Sequence, residues 1–306
     1  MSSNRLKTYT KVRRPRNESG IALISVLWVL LLLSALAATT LYIARTNAVL
    51  THRTLQIAQA QAAADAAIVD TVAKLSDDQI NRRTAANGFS EPDNMQVSVS
   101  VAYESGRIDV NTVDDQLLLA FLQSQGLTPD TAAILLDELR DWQDTDSVPR
   151  DHGAEIADYQ ARGLKISPRN GPLESIEELR QIPSWRAQHL DCWMDSLTVY
   201  TGLPGINIGK ATPKALAALQ WAQTHHLGDR EWIAADHSTT ASAEQSVIGE
   251  VLRVRARATV SQEVGATSEW VGRLTGDRIR PMLTMRWDHE PSEAKIAGTN
   301  PDVPGC

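Results

Sequence analysis

Cysteine, phenylalanine and, over one long stretch, charge are what this chain lacks. Its 306 residues hold two cysteines, Cys192 and Cys306, and two phenylalanines. The cysteine spacing matches no zinc or redox motif, so the expectation is two unpaired thiols rather than a structural disulfide. The seven histidines, at 52, 152, 189, 225, 226, 237 and 289, form no H-E-x-x-H pair, and no serine sits in a G-x-S-x-G elbow. Neither a zinc-hydrolase nor a serine-hydrolase apparatus is legible, and the reading is of a chain that is not an enzyme. His225-His226 reads as a helix end, and the tryptophans, among them Trp142, Trp185, Trp193, Trp221, Trp232 and Trp270, as core and interface material. The most informative absences lie together. No Asp, Glu, Lys or Arg occurs from Ile21 to Ala44, and no Gly or Pro from Ile21 to Asn87.

Charge elsewhere is uneven. Residues 1–20 carry Arg5, Lys7, Lys11, Arg13, Arg14 and Arg16 against Glu18 alone; removing them leaves 24 basic and 36 acidic residues, a balance of -12. An acidic body repels phosphate backbones and suits cations or basic partner surfaces. The uncharged run of 24 residues admits three readings. It is long enough to span a bilayer as a plain anchor with the basic cluster inside. Alternatively, Ala35-Leu36-Ala37 fits a secretory cleavage site that would leave Ala38 as the mature terminus. The third reading is cleavage after Gly20, which removes the basic leader and makes the apolar helix the new N-terminus beginning at Ile21, as in type IV prepilin-like proteins.

The sequence beyond the run favours the third reading. Ala, Leu, Gln and Lys fill much of the stretch after Arg45, so one helix is predicted to continue to about Leu75. At about 1.5 Å per residue it would be roughly 80 Å long. Ile43, Leu50 and Ile57 recur seven apart, and Ile68, Val72 and Leu75 have helical spacing, so the far end suits a folded domain as the near end suits lipid.

A sheet follows, interrupted. Val97, Val99, Val101 and Tyr103 alternate with polar residues, as do Leu252–Val260, Ser268–Leu274 and Arg280–Trp287, with turn residues at Gly265 and at Gly276-Asp277. The last three read as an antiparallel meander. Arg253, Arg255 and Arg257 are expected to form the solvated face of an edge strand, the rival reading being a surface for an acidic partner or nucleic acid. Between the first strand and the meander the sequence reads as helical. It opens with "GRIDVNTVDDQLLLAFL", where Thr112 and Asp115 can form a capping box, and Ser175 with Glu178 marks another helix start. In "INIGKATPKALAAL", Thr212 is the expected cap with Pro213 at the first helical position.

The order of a basic leader ending in Gly20, the long helix, "GRIDVNT", "DWQDTDSVPRDHGAEIADY", "PRNGPLESIEELRQIP" and a closing sheet resembles the K-type minor pseudopilins of bacterial type II secretion systems, over about residues 15–290. The resemblance implies an α+β fold with a long N-terminal transmembrane and spine helix and a pilin-like antiparallel sheet carrying a large inserted helical domain. It divides the chain into a leader (1–20), a transmembrane part (21–44), periplasmic helix and first strand (45–105), insert (106–220), remaining sheet (221–288) and flexible tail (289–306). It further implies processing at Gly20 and Ile21 by prepilin peptidase, N-methylation, an inner-membrane location and partners among the I-type, J-type and major pseudopilins. The role implied is that of a tip subunit that helps initiate the pseudopilus. Ser25, fifth after the cleavage point, stands where most pilin-like proteins carry Glu, and K-type members characteristically lack that Glu. The second "NTA"-like element reads Gly209-Lys210-Ala211 here.

Asp141, Asp144, Asp146, Asp151, Glu155 and Asp158 crowd a stretch of little regular structure, and long loops need something to order them. They match no EF-hand pattern, so spacing alone leaves a solvated acidic loop and a calcium site both open. The resemblance implies calcium, with Asp141, Asp144, Asp146, Glu155 and Asp158 as candidate ligands. One rival is a membrane-anchored, helix-hairpin-helix-like nucleic-acid-binding protein, since "NT" before a leucine-rich helix and "ELRQIP" suit such modules. The acidic surroundings oppose it.

Overall fold

The computed structural model describes residues 19–77, 95–225, 248–261, 264–277 and 279–293. The basic leader, His226, Trp232, His237 and Cys306 lie outside the described residues. The chain divides into two compact units at Gln56.

The first unit is the N-terminal part of α1 (Ser19–Asp77), a helix that runs to within two residues of the end expected from its composition. Its side chains from Ala22 to Thr51 are exposed throughout, including Leu23, Trp28, Leu31, Leu41 and Tyr42. Exposed apolar surface on that scale requires a partner or lipid. Its hydroxyls are already satisfied: Ser25, Ser34, Thr39, Thr40 and Thr46 each donate to a carbonyl three or four residues earlier. Such back-bonding lets polar side chains ride in an apolar helix without an unmet donor.

The second unit begins at Ile57. The last turns of α1 lie on a four-stranded antiparallel sheet in the order β1-β4-β5-β6, with β1 (Gln96–Tyr103), β4 (Val251–Ser261), β5 (Val264–Leu274) and β6 (Met282–Glu293). β1 and β4 pair along their length although about 150 residues separate them, because the insert is looped out between. The contact surface is small-residue: Ala60, Ala64, Ala67, Ile68 and Val72 meet Leu252, Val254, Ala256, Ala258, Ala266 and Trp270. Alanine on both sides lets the helix approach closely. Gln61 donates to Ser268 at 2.7 Å, and Trp287 Nε1 donates to Asp65 at 3.3 Å, so the polar groups bordering this core are paired. β6 continues through 289 to Glu293.

The arginine row corrects an expectation. β4 is an interior strand, not an edge, and Arg253 is 9 % exposed. It pairs with Glu104 at 2.7 Å and with Glu269 at 3.3 Å, while Arg255 pairs with Glu269 at 2.6 Å. Alternation tells which residues share a face but not whether that face meets water. Here the second face carries the insert.

The insert has its own apolar core, built from α2 (Asp115–Ser124), α3 (Pro129–Gln143), α4 (Ile156–Ala161), α5 (Pro183–Arg186) and α6 (Pro213–Thr224) around Leu117, Phe121, Leu135, Leu139, Trp185 and Trp193. Two-residue strands β2 (Ile108–Asp109) and β3 (Leu197–Thr198) pair in parallel inside it. Thr212 caps α6 with Pro213 in its first turn, and Ser175 with Glu178 opens a 3-10 turn, both where the sequence puts them. The cap of α2 differs. Asp114 accepts from Gln116 N–H at 2.9 Å, while Thr112 donates to the Leu203 carbonyl at 2.8 Å, so the capping box expected at Thr112 and Asp115 is not formed. The helix starts later than the motif suggested because Thr112 is used to fasten a distant loop. Asn207 caps the short 3-10 turn at Ile208–Lys210, within the divergent Gly209-Lys210-Ala211 element.

Entry and exit of the insert touch at a neck. Asn207 N–H donates to Ser105 O at 2.8 Å and Thr212 N–H to Gly106 O at 3.0 Å. A Cβ on Gly106 would lie 1.8 Å from the Lys210 carbonyl oxygen, so glycine is required there. Cys192, beside this core, is disulfide-bonded, which corrects the expectation of unpaired thiols. Cysteine spacing reads local motifs and is blind to pairs far apart in sequence.

Candidate functional site

α3 delivers the acidic segment. Its last turn holds Asp141 and Trp142, and it ends at Gln143 with Asp144 as its C-cap, whose N–H still donates to Arg140 O at 2.9 Å. The chain then turns: Asp146 Oδ1 accepts from Val148 N–H at 2.8 Å. It returns over the helix end at Arg150–Glu155. Asp141, fully buried, accepts from Arg150 N–H at 3.1 Å and fixes that return. Gly153 is needed for it, since a Cβ there would sit 1.8 Å from the Asp141 carboxylate.

Of the five candidate ligands, three are brought together. One oxygen each from Asp144, Asp146 and Glu155 lies within 4.8 Å of the others. Asp141 is occupied by backbone N–H groups, and Asp158 accepts from Glu155 N–H at 2.9 Å, orienting Glu155 rather than joining the cluster. Glu155 is 3 % exposed; its side chain faces the N–H groups that open α4, but neither carboxylate oxygen, nor Asp144 Oδ1, meets a donor in full hydrogen-bonding geometry. Burial pushes the Glu155 carboxyl up, and the Asp141 and Asp144 carboxylates push it further. Burial also raises Asp141, against the N–H of Arg150.

Sequence reasoning passed over Asn170. It has a left-handed backbone, φ 55°, donates from its N–H to Trp142 O at 3.0 Å and from Nδ2 to Asp146 O at 3.4 Å, and its Oδ1 is buried without a partner. The Asn-Gly pair was the legible signal, because Asn tolerates that conformation. Several orphaned oxygens in one place, two of them on a buried carboxylate, are costly as they stand. A hard divalent cation, which takes six to eight oxygens, fits this donor set; a soft metal needing sulfur or imidazole does not.

These features define a class: an α+β protein with a long exposed apolar helix, a four-stranded antiparallel sheet and a helical insert bearing an oxygen-rich loop. The comparisons narrow it. Residues 94–202 match the family model for the type II secretion system (T2SS), protein K, and the family resemblance read from the sequence therefore stands. A chain of the crystal structure of the GspK-GspI-GspJ complex from enterotoxigenic Escherichia coli, of its type 2 secretion system, shares the fold with a TM-score of 0.52. The alignment covers 81 % of this chain and 100 % of that one at 16 % identity. No curated protein sequence matches the chain.

Proposed function

We propose that this protein is a minor pseudopilin that forms the tip of a periplasmic pseudopilus and starts its assembly. In this reading the chain is cut after Gly20 by prepilin peptidase and methylated at Ile21. The apolar helix stores it as a single-pass protein of the inner membrane, with the main domain in the periplasm. The I- and J-type minor pseudopilins are its direct partners and the major pseudopilin lies below.

The observation that carries the reading is Ser25. In pilin-like subunits a Glu at this place neutralises a neighbour's N-terminal amine inside the apolar bundle, where an unpaired charge is costly. Ser25 carries no charge, and its hydroxyl is spent on Ala22 O at 2.9 Å. A subunit of this kind is tolerated where there is no preceding amine to meet, which is the first position assembled. The bulk of the insert agrees, since it would obstruct a subunit stacked above.

We also infer that the loop holds calcium through Asp144, Asp146 and Glu155, the ion supplying the positive charge that ties the loop to the end of α3. The nucleic-acid reading finds no support in the same region: Asp114 caps α2 and Asp115 occupies its first turn, so carboxylates stand where phosphate-binding amides would have to be open.

Mass determination of the mature N-terminus and cysteine crosslinking along α1 test the proposal. The expected outcome is methylated Ile21, crosslinks to I- and J-type partners, and crosslinks to the major subunit on one side only. An Ala38 terminus would overturn the processing, and major subunits crosslinked on both sides would move the protein into the shaft. Replacing Gly20 by a bulky residue is expected to leave the leader attached.

A further inference from the structure

The two apolar cores share no residue, and the cleft between them is lined mostly by charged side chains. Starting at Arg253 beside the neck and running out across β5 to β6, a cleft of about 310 Å³ separates the insert from the second face of the sheet. Its walls are Glu177, Arg180 and Asp195 from the insert and Arg255, Glu269 and Arg286 from β4, β5 and β6. Among the described residues, two ion pairs reach across beyond Arg253, and Tyr200 of the insert adds a hydrogen bond to Arg286. Arg286 grips Glu177 with both guanidinium nitrogens, each at 2.8 Å, and Arg255 lies 3.9 Å from Asp195.

The neck is built differently. Glu104, fully buried, receives Arg253 at 2.7 Å and the Thr198 hydroxyl, and lies 3.2 Å from Arg107 Nε. Lys210 pairs with Glu250 at 2.9 Å, and two backbone hydrogen bonds join the crossing segments. Buried pairs are screened little by salt, whereas exposed ones are screened strongly. Glu177 is 45 % exposed and Asp195 74 %.

We propose that the neck is a pivot and that the Arg286–Glu177 fork is a latch closing the insert onto the sheet, so that the insert's angle responds to ionic strength. The physical basis is the contrast in burial. A polar interface between two separately cored bodies permits relative motion unless something specific prevents it, and the bidentate fork is the most specific contact on the open side. Arg286 is itself held by Asp288, which sets the guanidinium plane toward Glu177. Opening would widen the cleft without unfolding either core.

The test uses the full chain in detergent micelles, with spin labels carried on noncanonical amino acids at Gln160 of the insert and Asp277 of the sheet, which leaves the Cys192 disulfide untouched. Pulsed electron paramagnetic resonance reads the distance between them at about 0.01 M and about 1 M salt, over which the screening length falls from about 30 Å to about 3 Å. The expected result is one distance at low salt and a second, longer one at high salt. Glu177→Gln is expected to show the longer distance already at low salt, and the exchange Glu177→Arg with Arg286→Glu to restore the single one. One unchanged distance in the wild type at both salts and in Glu177→Gln would overturn the latch. A charge exchange that fails to restore the short distance would also overturn it, by assigning the opening to lost packing of Arg286.

Discussion

The core under the spine helix and the core of the insert solve the same problem with opposite materials. The first joins a helix and a sheet through alanines, with backbone groups paired by regular elements and Trp270 as its one fully buried tryptophan. The second packs leucine, phenylalanine and tryptophan, but between α3 and α5 much of the chain is irregular and is held by side chains reaching backbone, such as Asp141 to Arg150 and Asn111 to Leu173. Regular structure satisfies its own polar groups, whereas irregular structure must borrow partners. The insert therefore depends on added ties: a disulfide at Cys192, buried carboxylates and, by our proposal, a cation.

Four experiments test this contrast. Trp185 is fully buried, and its indole N–H donates to Leu135 O at 2.8 Å. Trp185→Ala is expected to destabilise the insert by about 3–5 kcal/mol. Thermal unfolding should split into two steps, with the sheet and spine melting last; one unchanged cooperative transition would deny that the cores are separable. Next, calcium at about 100 times its dissociation constant is expected to stabilise the protein by about 2.7 kcal/mol relative to chelator. Glu155→Gln should reverse sign with conditions. It stabilises in chelator by removing a crowded carboxylate and destabilises in calcium by removing a ligand. A variant with the same calorimetric shift in both would remove the metal site.

Ala64→Leu attacks the other core. Inserting a large side chain between helix and sheet is expected to cost about 1–3 kcal/mol, and chelator should neither deepen nor relieve that loss when melting is followed. The smallest effect concerns Glu177. Burial alone would raise its carboxyl, but the hydrogen bonds from Arg286 hold it below the usual carboxylate range. The folded value is the lower one, so its contribution is present above the ordinary carboxylate pKa and is lost as pH falls through the folded value. For an exposed pair that is at most about 1 kcal/mol. Acid titration of stability should show a shallow step that Glu177→Gln lacks.

Much of this molecule was legible in its residues. The absence of Gly and Pro fixes α1, period-two alternation marks the four strands, and Thr212-Pro213 fixes the start of α6, because each rests on rules that act within one turn or one strand. Gly265, expected as a turn, instead lies inside β5, since the sheet pairs it on both sides. Gly106 and Gly153 were not legible, because what forbids a Cβ at each is a segment distant in sequence or folded back by a loop.

Local periodicity and motif order thus suffice for the elements, most of their faces and the family likeness. The packing of distant segments settles that Arg253 of β4 is buried against Glu104 while Arg255 stays exposed, that Asp114 rather than Thr112 caps α2, that Cys192 is bonded, and that Asp144, Asp146 and Glu155 converge while Asp141 and Asp158 serve the backbone. Each of those depends on which distant groups reach one another, and a buried charge takes its role from the partner that the fold brings to it.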